Sequence, residues 1–251
     1  GPLHPDTLFS PRMAPPMIGL GLIEAIDEAD LQQLADPDDD NSNGISGRLN
    51  QVWDLKKQQH VIGRFGWKAG KSTLEQQNGA ALSGDIGISS VLFPNAAGDC
   101  TNMQAVCHQQ PDGNSDIHDK VESSQVMTNL LLRYTRYIAL PRRPNASKPE
   151  VLSGKKLFYQ AGCENCHTSK FVTASDAPED SLANQLIWPY SDFLLHDMGE
   201  GLADGRPEFQ ASGREWRTAP LWGLGLTKRV GGENFFLHDG RARSLLEAVL
   251  W

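Results

Sequence analysis

Two cysteines and a histidine stand together as Cys163-Glu164-Asn165-Cys166-His167. Two thiols three positions apart, with a histidine directly after the second, have the spacing of a c-type haem attachment site. The chemistry requires it. Both thiols must reach the vinyl groups of one porphyrin, and the adjacent imidazole must come up beneath the iron with a ring nitrogen free. This pattern therefore points to one haem c, with Cys163 and Cys166 as thioethers and His167 as an axial ligand. A zinc site would need two further Cys or His ligands at compatible spacing, and no second Cys-x-x-Cys stands nearby. A thioredoxin-like pair would need a βαβ setting. Here the motif instead follows Gly154-Lys155-Lys156-Leu157-Phe158-Tyr159-Gln160, a short helical stretch that ends at Ala161-Gly162.

The other two cysteines, Cys100 and Cys107, close a short loop. Covalent haem attachment takes place on the oxidising side of the bacterial membrane, where disulfides persist, so the pair reads as a disulfide and the address as periplasm. Two unpaired thiols are the alternative. A second ligand pattern lies earlier, in Asp39-Asp40-Asn41-Ser42-Asn43-Gly44. Asp39, Asn41 and Asn43 put oxygens at alternate positions before a turn glycine, as in the first half of a calcium loop. Asn50 stands where an EF-hand has its bidentate Glu, so a calcium site here would be completed differently; a solvated acidic turn competes with it. His60, His108 and His118 have no motif around them.

The elements that must position these groups can be read more coarsely. At 251 residues, with 39% hydrophobic and 22% charged side chains, the chain can bury a core and is not compositionally disordered. Its net charge of -8 argues against phosphate-backbone partners. No stretch approaches the ~20 apolar residues of a membrane span, and Gly1-Pro2-Leu3-His4-Pro5 has no signal-peptide character. Residues 17–35 read as an amphipathic helix or two short ones. Residues 121–140 carry apolar side chains at helical spacing and stop before Pro141-Arg142-Arg143-Pro144. That proline-rich, basic stretch reads as a linker, with a boundary near residue 145. A faint echo joins the two halves: Phe65-Gly66-Trp67 precedes Thr73-Leu74 at the spacing at which Phe236-Leu237-His238 precedes Ser244-Leu245.

After the haem motif come Leu195-His196-Asp197-Met198-Gly199, Trp216-Arg217-Thr218-Ala219-Pro220-Leu221-Trp222, and Phe236-Leu237-His238-Asp239-Gly240-Arg241 with Leu246-Glu247-Ala248-Val249. As an ordered set, covering essentially the whole chain, they resemble the bacterial di-haem cytochrome c peroxidase superfamily, closest to its di-haem oxidoreductase (thiol oxidoreductase or peroxidase) branch. The resemblance implies a mostly α fold of tandem cytochrome c-like domains with long loops, the first incomplete in this chain. Residues 1–145 would be the remainder of an N-terminal peroxidatic domain without its haem motif. Residues 146–251 would be a C-terminal domain with one haem site, cut short at its end. The departure from the family is that only one Cys-x-x-Cys-His is present, so a second haem is expected in the intact protein.

Residue by residue, the resemblance implies that Arg217 faces the haem propionates, that Trp67 is an electron or hole relay between two haems, and that Asp85 is the acid assisting peroxide cleavage. His196, Met198 and His238 are the sixth-ligand candidates within the chain. The family register falls just after Trp251, so His238 is expected to shape the pocket without binding iron. The implied activity is a periplasmic peroxidase-like oxidoreductase that passes electrons through the His167 haem to a second haem. Its partners would be a small cytochrome or cupredoxin and a small-molecule oxidant, with no nucleic acid and no membrane span. An electron-transfer cytochrome without turnover, or haem-dependent oxidation of a partner protein, are the alternatives. No residue carries a thiol-oxidising role.

Overall fold

The computed structural model describes residues 4–98 and 100–251. Two short helices open the chain, α1 (Leu20–Glu24) and α2 (Glu28–Leu34), the second capped by the Asp27 carboxylate accepting from Ala29 N. A hairpin follows, with β1 (Gln51–Asp54) antiparallel to β2 (Gln59–Ile62). Helix α3 (Leu74–Ile86) starts at the Thr73 cap and ends at Gly87, whose φ of 70° turns the chain out of the helix. The short α4 (Ala105–His108) holds one end of the Cys100–Cys107 disulfide. Helix α5 (Gln125–Tyr137), capped by Ser124, is the central part of the 121–140 segment.

After the proline-rich stretch, α6 (Pro149–Gln160) has its proline at the first helical position, where the missing N–H costs nothing. Two ribbons then build the second half: β3 (Phe171–Val172) pairs β4 (Leu186–Ile187), and β5 (Leu195–Asp197) pairs β6 (Glu215–Arg217). The short α7 (Thr227–Gly231) and α8 (Leu245–Leu250) complete the chain. Among the described residues no helix is long and apolar enough to cross a membrane.

The mostly α, cytochrome c-like expectation is overturned here: the chain is 32% helix and 13% strand, with short helices and small sheets. The reason lies in composition. With 24 glycines and 15 prolines, few segments run long enough to sustain a helical period. Backbone groups outside the helices pair instead in two- to four-residue ribbons and isolated bridges such as Ile26 with Thr173 and Arg48 with Leu195.

One hydrophobic core draws on both sides of residue 145. Ile23, Ile26, Leu31, Ile62, Phe65, Leu74 and Leu132 from the first part pack with Phe171, Ile187 and Phe193 from the second. Across the α3–α5 contact, the buried Asn78 amide donates to the Thr135 hydroxyl at 2.9 Å, satisfying a polar pair that the core would otherwise penalise. Arg136 on α5 pairs with Glu24 at 2.6 Å and Glu179 at 3.4 Å, tying the two sequence segments together at the edge of the core.

Candidate functional site

Helix α6 runs straight into the Cys-x-x-Cys-His segment. Gly162 (φ 74°) makes the left-handed turn, and a 3₁₀ turn over Cys163–Asn165 follows, closed by His167 N donating to Cys163 O at 2.9 Å. Both thiols are free and half-buried. Residues 190–196 grip this segment from the other side. Ser191 N donates to Thr168 O at 3.0 Å, and Asp192 N to Cys166 O at 2.9 Å.

The His167 ring has a definite orientation. Its Nδ1 lies 2.7 Å from the Tyr190 carbonyl oxygen, and since a carbonyl only accepts, Nδ1 carries the proton. Nε2 is left with its lone pair, the arrangement in which an outer hydrogen bond aims an imidazole at a metal. Tyr190 reaches this position through a left-handed φ of 53°, which aims its carbonyl inward at some cost in backbone strain. Burial pushes the His167 pKa down while the Tyr190 carbonyl opposes it, so the neutral, ligating form is favoured. Phe158 of α6 packs edge-on to both His167 (6.3 Å) and Tyr190 (5.6 Å).

On β5, the buried His196 is held at both ring nitrogens. Nε2 is 2.8 Å from an Asp192 carboxylate oxygen and Nδ1 is 3.8 Å from Cys166 Sγ. Burial alone would lower its pKa, but the Asp192 hydrogen bond and charge, with a contribution from the Cys166 sulfur, raise it to about 10. The Cys166, Asp192 and His196 donors lie within 4.8 Å of one another. Because sulfur and carboxylate occupy opposite nitrogens of one ring, they form a chain through the imidazole and do not converge on one point. Gly47 leaves room for this ring: a Cβ there would stand 2.9 Å from His196 Cε1.

Arg217 on β6 is buried. Its Nε donates to Gly66 O at 2.8 Å and one terminal nitrogen to Thr218 O at 3.1 Å, while the guanidinium lies over the Phe193 ring. Among the described residues no carboxylate lies within ion-pair distance of it. Burial lowers its pKa to about 10, with the Asp192 charge opposing. A buried cation without an anion is costly unless something negative completes it.

The sequence echo has a geometric counterpart. Phe65 bridges Lys71 and Phe236 bridges Ala242; the residue after each Phe, Gly66 (φ 82°) and Leu237 (φ 68°), is left-handed. The hydroxyl residues at matching positions, Thr73 and Ser244, cap α3 and α8. Trp67 and His238 thus occupy equivalent positions and meet edge to face at 6.5 Å. The braces cross. Arg217 N from the second part donates to Trp67 O at 2.8 Å, while Met13 N from the first donates to His238 O at 2.7 Å. The Trp67 indole N–H donates in turn to Met13 O at 2.7 Å.

His238 also stacks on Trp216, with centroids 3.6 Å apart and planes 13° from parallel. Burial pushes its pKa down, with the Asp239 charge opposing. Beneath lies an ion cluster: Lys68 to Asp204 at 3.2 Å, Arg12 to Asp204 at 2.8 Å, and Arg12 to Glu208. Burial would raise the Asp204 pKa, but hydrogen bonds from Ser10 and Arg12 hold it down at about 2. Burial pulls the Lys68 ammonium below its ordinary range, and Asp204 opposes that.

Other residues singled out from the sequence lie apart from this cluster. Asp85 is exposed in the last turn of α3. Met198 is 46% exposed. The 39–44 loop turns its oxygens onto its own backbone: the Asp39 carboxylate accepts from Asn43 N and Gly44 N, Asn41 from Asn43 N, and Asn43 from Ile45 N. Tyr190, Asp192, Lys68 and Asp204 were not legible as site residues, and Trp216 was legible only as part of the Trp216–Trp222 motif, with no role of its own. For Asp192 the one signal was its clustering with His196 in a single segment.

A family model described as "Di-haem oxidoreductase, putative peroxidase" matches residues 3–251. No curated protein and no solved structure matches the chain.

Proposed function

Because the chain belongs to the di-haem oxidoreductase family, we propose that it is a periplasmic c-type haem oxidoreductase of the peroxidase kind. In this reading Cys163, Cys166 and His167 would hold one haem, which would supply electron transfer, and a second haem of the intact protein would supply peroxide reduction. Bound haem would supply a reversible one-electron couple and an iron centre for peroxide chemistry. The donor set fits that group. Cys163 and Cys166 present two free thiols at the required spacing, and His167 is neutral with Nε2 unused. Arg217 offers a buried guanidinium that a propionate would complete. Helix α6, which leads into the motif, leaves Leu152 and Leu157 exposed, apolar surface of the kind a porphyrin covers.

The observation that carries the reading is the Tyr190 hydrogen bond, which fixes the imidazole with its metal-binding nitrogen free. Trp67 is the relay in this proposal. Its carbonyl is bonded to Arg217 N, one residue from Thr218, whose N–H in turn donates to Leu194 O. The Cys100–Cys107 disulfide supports an oxidising compartment, and the electron donor would be a small cytochrome or cupredoxin.

The test is steady-state consumption of hydrogen peroxide by the intact haem-loaded protein with a reduced donor. Two donor electrons should be lost per peroxide, and His167→Ala should abolish the coupling. Donor oxidation that stops at one electron per haem, without peroxide loss, would favour the electron carrier, a reading the exposed position of Asp85 favours.

A further inference from the structure

Two indoles flank His238, and their surroundings differ. Trp67 meets the imidazole edge to face at 6.5 Å, and Trp216 stacks on it at 3.6 Å. These separations are short enough that an electron vacancy on one indole could pass to the other through the imidazole, and burial of Trp216 would not prevent it. Neither indole is offered a base. Trp67 Nε1–H donates to Met13 O and Trp216 Nε1–H to Leu202 O at 2.9 Å, both backbone carbonyls. Loss of an electron therefore leaves positive charge on the ring itself.

On Trp216 that charge would face a cation. The Lys68 ammonium stands 4.0 Å from the ring centroid, and because His238 covers one face, Lys68 must lie over the other. Its three protons are all committed, to Ser212 O at 2.7 Å, Glu215 O at 2.9 Å and Asp204 at 3.2 Å, so it cannot swing away. The Arg12 guanidinium is a second cation over the same ring, at 5.2 Å. Among the described residues no Lys or Arg lies over the ring of Trp67. A cation over an indole stabilises the neutral ring and opposes its oxidation.

We propose that Lys68 keeps Trp216 reduced, so that of the two indoles beside His238 only Trp67 carries an oxidising equivalent. Lys68 is thus a positioning residue that confines the relay. The inference rests on the reading of Trp67 as a relay, and its test uses an external oxidant so that the two can fail separately.

The full protein is illuminated with a ruthenium polypyridyl complex and persulfate. Persulfate takes an electron from the excited complex, its O–O bond breaking to sulfate and a sulfate radical that excess Ru(II) reduces to sulfate, and each resulting Ru(III) takes one electron from an indole. The long-lived indole radical cation slowly gives up its proton to solvent water and adds dissolved oxygen, and peptide mass mapping locates the oxygenated product. Oxidation at Trp67 should exceed that at Trp216 by more than about tenfold. In Trp67→Phe, Trp216 should remain unoxidised. In Lys68→Gln, which can still donate to the Ser212 and Glu215 carbonyls, Trp216 should become oxidised, and Lys68→Arg should restore protection. Equal oxidation of the two indoles in the unaltered protein would overturn the proposal. So would a rise at Trp216 in Trp67→Phe with Lys68 in place, a result that needs no variant at Lys68. Loss of peroxide turnover with this oxidation pattern intact would count against the peroxidase reading alone.

Discussion

His196 sits between a carboxylate and a sulfur, and the carboxylate decides its charge. Asp192 raises its pKa to about 10, above the ordinary histidine range, against the effect of burial. A group raised in this way contributes stability that is complete below the unfolded pKa, near 6.5, and is lost as pH rises through about 10. In the haem-free chain, Asp192→Asn should bring the His196 midpoint, followed by the NMR shift of its ring proton, at least about one unit down. A midpoint still near 10 in the variant would assign the shift to the Cys166 sulfur instead. The cysteines and His167 were visible in the sequence because their chemistry depends on adjacency along the chain. Tyr190 and Asp192 were not, because one acts through a backbone carbonyl and the other through a fold that brings residues 190–196 against residues 166–168. Arg217 was legible as a residue type in a motif, but that no anionic partner stands by it among the described residues is a fact of packing.

At the scale of elements, the two Phe-x-aromatic turns each lead into a helix through a hydroxyl cap. Thr73 accepts from Gln76 N at 3.2 Å, and Ser244 from Glu247 N at 3.1 Å. Helix α3 packs its buried Leu74 into the core, so losing its cap should register in global stability. Thr73→Ala should cost about 1 kcal/mol in urea unfolding, and Thr73→Ser should recover most of it. Equal stability of all three proteins would show that the cap contributes nothing here. The helical spacing over residues 121–140 and the stop before Pro141 were readable; α5 lies inside that span, starting after the Ser124 cap and ending at Tyr137. The ribbons were not, since two or three residues are too few to display alternation. The mostly α expectation came with the family resemblance, and ribbons this short left no pattern in the sequence to correct it. The echo between residues 65–74 and 236–245 was thin as a pattern of letters. It becomes substantial once matching bridges, left-handed residues and caps occupy the same positions, with braces crossing between them.

At the scale of the whole molecule, the proline-rich stretch near residue 145 marks a change in sequence character, yet the core uses residues from both sides of it. The Ser10, Arg12, Lys68, Asp204 and Glu208 cluster adds a polar junction between the same two parts. Asp204 is held at about 2 against an ordinary 3.8. Its contribution is fully present above pH ~4 and is lost as pH falls toward 2, amounting to about 2 kcal/mol. Acid unfolding followed by circular dichroism should show Asp204→Asn without that pH-dependent loss; a profile identical to that of the unaltered protein would remove Asp204 as its source. The most direct test concerns the haem itself. The chain, exported with the haem-attachment machinery of a bacterial host, is denatured and extracted with acid acetone, and the mass of the polypeptide is measured. One haem should remain on the chain through Cys163 and Cys166, and Cys163→Ser with Cys166→Ser should release it. A polypeptide of unmodified mass, with all haem in the acetone, would contradict the assignment of this site.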